Sequence, residues 1–367
     1  MSHHTFRSVI IGCGTSAPGK GGAHSIGYAH AAAYKSQPDV VLSAVSSLSQ
    51  KDVDDFAVEY PGTKGYTDYQ AMLTSEAPDI VSICAFPPAR EEMAMAAMAA
   101  GAKALWIEKP FALTLDAAKR IMVEAERRSV RLFVDHQRRY GQPFIWLREA
   151  VEEKKIGDLI QFNITQPFGG IYDFGTHCID SALYCLGDRQ PTLVFAAVDL
   201  THARKHQGMT MESQIVASVH FDDGTRLVIE MGDRSCSRLP ILHAEGTDGF
   251  AQLHMNVPQG CQSIFRARYA GSSEIVNPVT NEHFHHSDDG ACYIKRALAD
   301  ILTAMKTGRA TRIDAREAYR GLSIIAGIFE SAKTQSVFYF DRSGDKGPRR
   351  QGTPPPYPLR AISSPEP

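Results

Sequence analysis

No apolar run in this chain of 367 residues approaches the roughly 20 residues that a membrane-spanning helix needs. Charge of one sign is also missing. Lys and Arg number 39 against 41 Asp and Glu, and the basic residues form no dense cluster, which argues against nucleic acid or an anionic membrane as the main partner. The seven cysteines (13, 84, 178, 185, 236, 261 and 292) contain no CxxC pair. An odd, scattered set among apolar neighbours reads as free thiols in a reducing cytoplasm. The N-terminus reaches a strand-like segment by Val9, leaving no room for a signal peptide. There are no internal repeats. What is present is ordinary: 43% hydrophobic and 22% charged residues, enough for two buried cores.

Residues 8 to about 134 alternate short β-branched runs with helical patterns. The expected strands are Ser8–Ile11, Val40–Val45, Ile80–Cys84, Ala104–Ile107 and Arg131–Val134. Helices are expected near Ile26–Lys35, Asp52–Tyr60, Arg90–Ala100 and Leu115–Arg128. Such alternation implies crossover connections, hence an α/β domain with a doubly wound parallel sheet over residues 1–134. Beyond it, Leu159–Thr165, Thr192–Leu200, Gln214–Phe221, Arg226–Met231, Ile241–Glu245 and Phe250–Met255 read as successive strands, and Asp222-Asp223-Gly224-Thr225 is a hairpin signal. Helices near Asp288–Thr307 and Ala315–Thr334 and a strand Val337–Phe340 follow. Residues 135–340 are therefore expected to be an α+β domain with a mainly antiparallel, open sheet. The Pro-rich stretch 341–367 is either a disordered end or an arm for a neighbouring subunit.

The first strand runs into Gly12-Cys13-Gly14. In a Rossmann unit the first glycine permits a tight turn and the second admits a pyrophosphate at a helix N-terminus. The third is absent at normal spacing. Gly27 fits it best, after an insertion, Thr15–Ser25. Residues 14–20, GTSAPGK, also fit a phosphate-binding GxxxxGK, but Gly21 stands where that motif needs Ser or Thr. A long glycine loop over a dinucleotide is the better reading. Lys20 either reaches a phosphate or is solvated.

Trp106-Ile107-Glu108-Lys109-Pro110 ends a strand at the edge where doubly wound folds bind ligands. Later, GGIYDFGTHCID over 169–180 places Asp173, His177, Asp180 and Tyr184 at steps of 4, 3 and 4, one polar stripe of a helix, with Phe174, Cys178, Ala182, Cys185 and Leu186 on its apolar face. By itself that stripe could be a solvated face. Together, GxG, EKP and DxGxHxxD in this order make the chain resemble the Gfo/Idh/MocA (glucose–fructose oxidoreductase/inositol dehydrogenase) family over about residues 8 to 340. The resemblance implies an NAD(P)-dependent oxidoreductase acting on a secondary alcohol or ketone of a sugar, cyclic polyol or glycoside, assembled as a homodimer or homotetramer through the open sheet. It implies cofactor contacts at Gly12, Gly14, Gly27, Ser47, Ala85, Pro87, Glu108, Lys109 and Gln137. Substrate contacts fall at Lys109, Tyr172, Asp173 and His177. His177 is the acid–base, whose imidazole suits proton transfer near neutrality, Asp173 orients, and Lys109 stabilises the developing charge.

Two departures from the family qualify this. One is the glycine-loop insertion. The other is the short link from Leu159–Thr165 to Asp173, so a pocket wall must come from elsewhere, for instance from His283-Phe284-His285-His286. Those histidines lack supporting ligands for a metal, and none is expected. Two rival readings use the same scaffold: a glycosidase or lyase that recycles bound NAD, and a non-catalytic nucleotide-sensing regulator. After the second strand, Ser47 occupies the place where NAD binders carry an acid, and Ser46, Leu48, Ser49, Gln50 and Lys51 add no carboxylate. The cofactor expectation is therefore NAD(P) with a lean to NADP.

Overall fold

The computed structural model describes residues 5–14, 25–235, 237, 239–255, 264–278 and 291–340. Residues 15–24, 279–290 and 341–367, which hold most of the insertion with Lys20, the His-rich stretch and the Pro-rich end, lie outside the described residues.

The first unit runs β1 (Phe6–Ile11), α1 (Ile26–Lys35), β2 (Val40–Ser46), α2 (Gln50–Glu59), β3 (Lys64–Tyr66), α3 (Tyr69–Glu76), β4 (Ile80–Ile83), α4 (Arg90–Ala99), β5 (Ala104–Ile107), α5 (Leu115–Arg128) and β6 (Arg131–Val134). Its strands pair in the order β3-β2-β1-β4-β5-β6, all parallel. All four residues of β4 and of β5 are buried, as central parallel strands between helix layers must be. Polar caps start the helices: Ser49 accepts from Asp52 N, Asp68 from Gln70 N, and Thr114 from Ala117 N. The sequence reading overlooks β3 and α3. The strand has three residues at an exposed edge and carries no β-branched run to reveal it.

The second unit contains α6 (Gln142–Glu152), β7 (Leu159–Gln166), α7 (Thr176–Leu186), β8 (Pro191–Asp199), β9 (Arg204–His206), β10 (Met209–Met211), β11 (Gln214–Phe221), β12 (Arg226–Gly232), β13 (Ile241–Gly246), β14 (Phe250–His254), β15 (Ile264–Arg268), α8 (Ala291–Thr307), α9 (Ala315–Thr334) and β16 (Phe338–Tyr339). Eight strands form one sheet in the order β15-β14-β13-β7-β12-β11-β8-β16. Only the β7–β12 pair is parallel, so the sheet is mainly antiparallel. The hairpin expected at 222–225 joins β11 to β12, with Gly224 at φ 89°. The two-stranded hairpin β9–β10 was not expected.

Two helices tie the units together. α9 packs on β8 and α7 and also on α5. α8, which the sequence pattern assigns to the second domain, instead lies on α1, where Ile294, Ala297, Leu298 and Ile301 share a core with Tyr28, Ala31 and Tyr34. The amphipathic pattern of α8 marks a buried face without saying which neighbour buries it.

A buried two-point contact joins Arg139, in the 3₁₀ turn 137–140 after β6, to Asp180 of α7. Arg139 Nε and Nη2 donate to the two Asp180 oxygens at 2.9 and 2.8 Å, and Nη1 donates to Arg312 O at 2.8 Å. Both side chains are buried. Removing one partner strands a buried charge. Asp180→Ala is therefore expected to destabilise the fold by about 3–5 kcal/mol, and pairing it with Arg139→Met should recover much of the loss. Chemical denaturation of the three proteins measures both effects, and a loss under about 1 kcal/mol for Asp180→Ala would contradict this account.

Candidate active site

At the end of β1 the chain turns through Gly12 (φ 89°) and Gly14 (φ 69°), and the Gly12 and Cys13 amides donate to Ser46 O of β2 at 2.9 and 3.0 Å. A Cβ on Gly12 would come within 2.7 Å of Ala85 N, and one on Gly27 within 2.8 Å of Cys13 O. Gly27 thus lets α1 press against the first turn, which is the task of the third glycine in a dinucleotide-binding unit. The bare backbone here fits close approach of a pyrophosphate.

The Ser47 loop differs from its sequence reading. Ser47 Oγ donates to Asp52 Oδ2 at 3.2 Å, so a carboxylate does stand beside Ser47, supplied by the first turn of α2. Lys51, the nearby cation, is paired with Asp55 at 2.6 Å. Ser47 and Lys51 thus have carboxylate partners of their own, contacts across a helix turn that a count along the strand end misses.

Ala85 and Pro87 lie on the loop after β4, opposite Gly12. Arg90 braces that loop: Nε donates to Ala85 O at 2.8 Å and Nη1 to Glu108 O at 2.6 Å, with a further bond to Pro110 O. The Glu108 carboxylate is buried and turned toward His30, away from Lys109. Gln137 Oε1 is buried and receives no hydrogen bond from any described residue, leaving an acceptor for a bound group.

Lys109, joined to Pro110 by a cis peptide bond, reaches across to the second unit. Its Nζ donates to Asp173 O and Asp173 Oδ1, both at 3.1 Å. Asp173 lies in a π-helical turn, Ile171–Gly175, that precedes α7, a wide turn of the kind frequent at functional sites. His177 follows in the first turn of α7, whose eleven residues are all buried, so its polar stripe is no solvated face. The His177 ring stands edge-on to that of His136, centroids 5.9 Å apart. Burial lowers the His136 imidazole to about 4, so that ring is neutral at pH 7. Tyr172 stacks on Phe329 with centroids 5.9 Å apart, and burial with Glu212 nearby raises its phenol to about 12.

The hairpin β9–β10 reaches both sides of the cleft. A Cβ on Gly208, at the tip of this hairpin, would come within 2.6 Å of Pro88 Cγ, and one on Gly170 within 2.9 Å of Thr210 O. The hairpin therefore spans from the π turn to the loop after β4. At its base, buried Glu212 accepts from Ile171 N at 3.0 Å, and burial raises its carboxyl.

Three residues of this region were given no role by the sequence reading. His136 is adjacent to Gln137 and could have been picked out as a histidine at a strand end. Glu212 and His30 carried no local signal, since their partners are 41 and 78 residues away.

Residues 6–136 match the family model described as the oxidoreductase family with an NAD-binding Rossmann fold (GFO_IDH_MocA). The chain is 27% identical to D-glucoside 3-dehydrogenase of Escherichia coli (strain K12) over 366 residues, covering 91% of this chain and 97% of the relative. It is 28% identical to myo-inositol 2-dehydrogenase of Thermotoga maritima over 180 residues, 46% of this chain and 54% of that one. Among solved structures, an oxidoreductase domain protein from Kribbella flavida superimposes with a TM-score of 0.76 at 16% identity, over 92% of this chain and 100% of that one. An oxidoreductase from Agrobacterium radiobacter in complex with NAD+, L-tartaric acid and magnesium gives a TM-score of 0.74 at 15% identity, over 91% and 98%. A Rossmann unit with its three glycines in place, an open mixed sheet behind it, and these matches together support a Gfo/Idh/MocA oxidoreductase.

Proposed function

We propose that this chain is an NAD-dependent dehydrogenase that oxidises a secondary hydroxyl of a hexopyranoside, the cofactor lying along Gly12, Gly14, Gly27, Ser47, Ala85, Pro87 and Gln137. The bound nicotinamide supplies the hydride exchange. The observation that carries the reading is the contact of Lys109, on the dinucleotide side, with Asp173, on the other side of the cleft.

The work of the chain's own groups is proton handling and charge placement. An ammonium has three N–H donors. Two engage Asp173, which leaves one to hydrogen-bond the reacting oxygen and stabilise the charge that grows on it. His177 accepts the hydroxyl proton, or returns it in the reverse direction. Asp173 holds the ammonium in place, and Tyr172 with the β9–β10 hairpin forms the wall against which the ring of the substrate lies. A glycoside is favoured because the glucoside dehydrogenase resembles the chain through both units, whereas the myo-inositol dehydrogenase matches about half of it.

The free thiols Cys13, Cys84, Cys178 and Cys185 fit a reducing compartment such as the cytoplasm. Among the described residues no helix is long and apolar enough to cross a membrane. The outward face of the eight-stranded sheet presents Phe195, 55% exposed, and Val216, 50% exposed, from neighbouring strands, and we assign it to contact with a second copy of the chain.

Three outcomes are expected. In an assay of D-glucose, methyl D-glucosides and myo-inositol, Lys109→Ala and His177→Ala should each lower kcat by about two to four orders of magnitude. Near-normal turnover in both would refute their roles, and absence of net dinucleotide conversion with every sugar would point to a recycling lyase. For the cofactor, kcat/KM with NAD should exceed that with NADP by about tenfold, because Asp52 repels a 2′-phosphate, and Asp52→Ser should shrink the difference. A preference for NADP would reverse this assignment. For assembly, light scattering should give a dimer or tetramer for the natural chain and a smaller particle for Phe195→Glu. A monomer before substitution rules the interface out.

A further inference from the structure

Directly behind the Glu108–Pro110 turn lies a closed polar cluster that the reaction itself does not use. His30 of α1 is fully buried, its ring over the Trp106 indole with centroids 3.8 Å apart. Its Nδ1 is 3.0 Å from Ser82 Oγ of β4, which in turn is 2.7 Å from the Tyr34 hydroxyl. Its Nε2 lies 3.2 Å from Glu108 Oε1 and 3.6 Å from Asp135 Oδ2. Trp106 Nε1 donates to the other Asp135 oxygen at 3.1 Å. Four secondary elements, α1, β4, β5 and β6, thus converge on one imidazole.

Burying two carboxyls and a histidine is expensive unless their charges balance. They do so here. Burial works against an imidazolium, yet Cys84, Asp135 and Glu108 around it raise the His30 ring well above its usual value. Burial also works against the Glu108 carboxylate, but His30 and Arg90 hold it well below the ordinary range. Burial and the neighbouring Glu108 push the Asp135 carboxyl upward, toward its neutral form. The imidazole and the Arg90 guanidinium thus face the two carboxyls, so each buried charge of the cluster has an opposite partner.

The sequence position of the two acids is what gives the cluster a task. Glu108 is the residue before Lys109, and Asp135 is the residue before His136. We propose that His30 is a positioning residue for Lys109: by gripping Glu108 and Asp135 together it holds the Glu108–Pro110 turn, and with it the Lys109 ammonium, against Asp173. Arg90 holds the same turn by its carbonyls, so backbone and side chain are braced from two sides. The inference rests on the reading of Lys109 as the group that meets the reacting oxygen, but its test needs no substrate.

The test is competitive acetylation of the full chain with acetic anhydride, read by mass spectrometry at Lys109 against exposed Lys51. In His30→Leu, which fills the space but cannot bridge the acids, the Lys109/Lys51 labelling ratio should rise about threefold to tenfold as the ammonium comes free of Asp173. His30→Gln, whose amide can still donate to Glu108, should stay within about twofold of the natural chain. If His30→Leu does not fold, Glu108→Met removes the acceptor of the same link at similar volume, and the same rise is expected. An unchanged ratio in a folded His30→Leu or Glu108→Met protein means that His30 merely fills the core, and overturns the proposal. So does one equivalent of bound metal in the natural protein that is lost in His30→Leu, because His30, Glu108 and Asp135 would then be ligands. Failure of the sugar assay alone leaves this result standing and bears only on the substrate.

Discussion

Everything at the cleft depends on holding α7 at a fixed distance from the carboxyl edge of the parallel sheet. That helix carries His177 and is preceded by the turn bearing Asp173, while Lys109 projects from the sheet. The buried Arg139–Asp180 pair pins the helix from behind, and the Lys109–Asp173 contact closes the gap in front. Two such clamps on either side of one helical turn leave little freedom for the intervening residues. Catalytic groups tolerate only small misplacement before the rate falls, so a rigid junction between two separately cored units is what this chemistry requires.

Burial of charge is the recurring device. Arg139, Asp180, Glu108, Asp135, Arg90 and His30 are all removed from solvent, and each is matched by a partner of opposite charge, a carbonyl or a shared proton. In such surroundings an ion pair fixes direction as well as distance, because a displaced partner finds no water to replace it. The arrangement stabilises one geometry of the cleft more than it stabilises the fold as a whole. It also accounts for the neutral His136 ring beside His177: a charged imidazole there would face burial and the Arg139 guanidinium together.

The unusual features of the chain concentrate on substrate access. The link from β7 to the π turn is short, and the hairpin β9–β10 touches Pro88 at one end and the π turn at the other.

By itself the sequence determined the order of the longer elements, the division into a parallel and a mainly antiparallel sheet, the turn at Gly12 and the close approach of Gly27, and it put forward Lys109, Asp173 and His177. Each is written in local terms: a period of side chains, a turn residue, a short motif. The tertiary structure alone decided that Asp52 stands beside Ser47, that Glu108 faces His30 and not the cleft, that α8 crosses back onto α1, and that the hairpin after β8 meets both the π turn and Pro88. These are pairings between surfaces that the chain brings together only after its cores have formed. A pattern along the sequence states that a face will be buried or a charge matched, but the partner is chosen by packing across tens of residues.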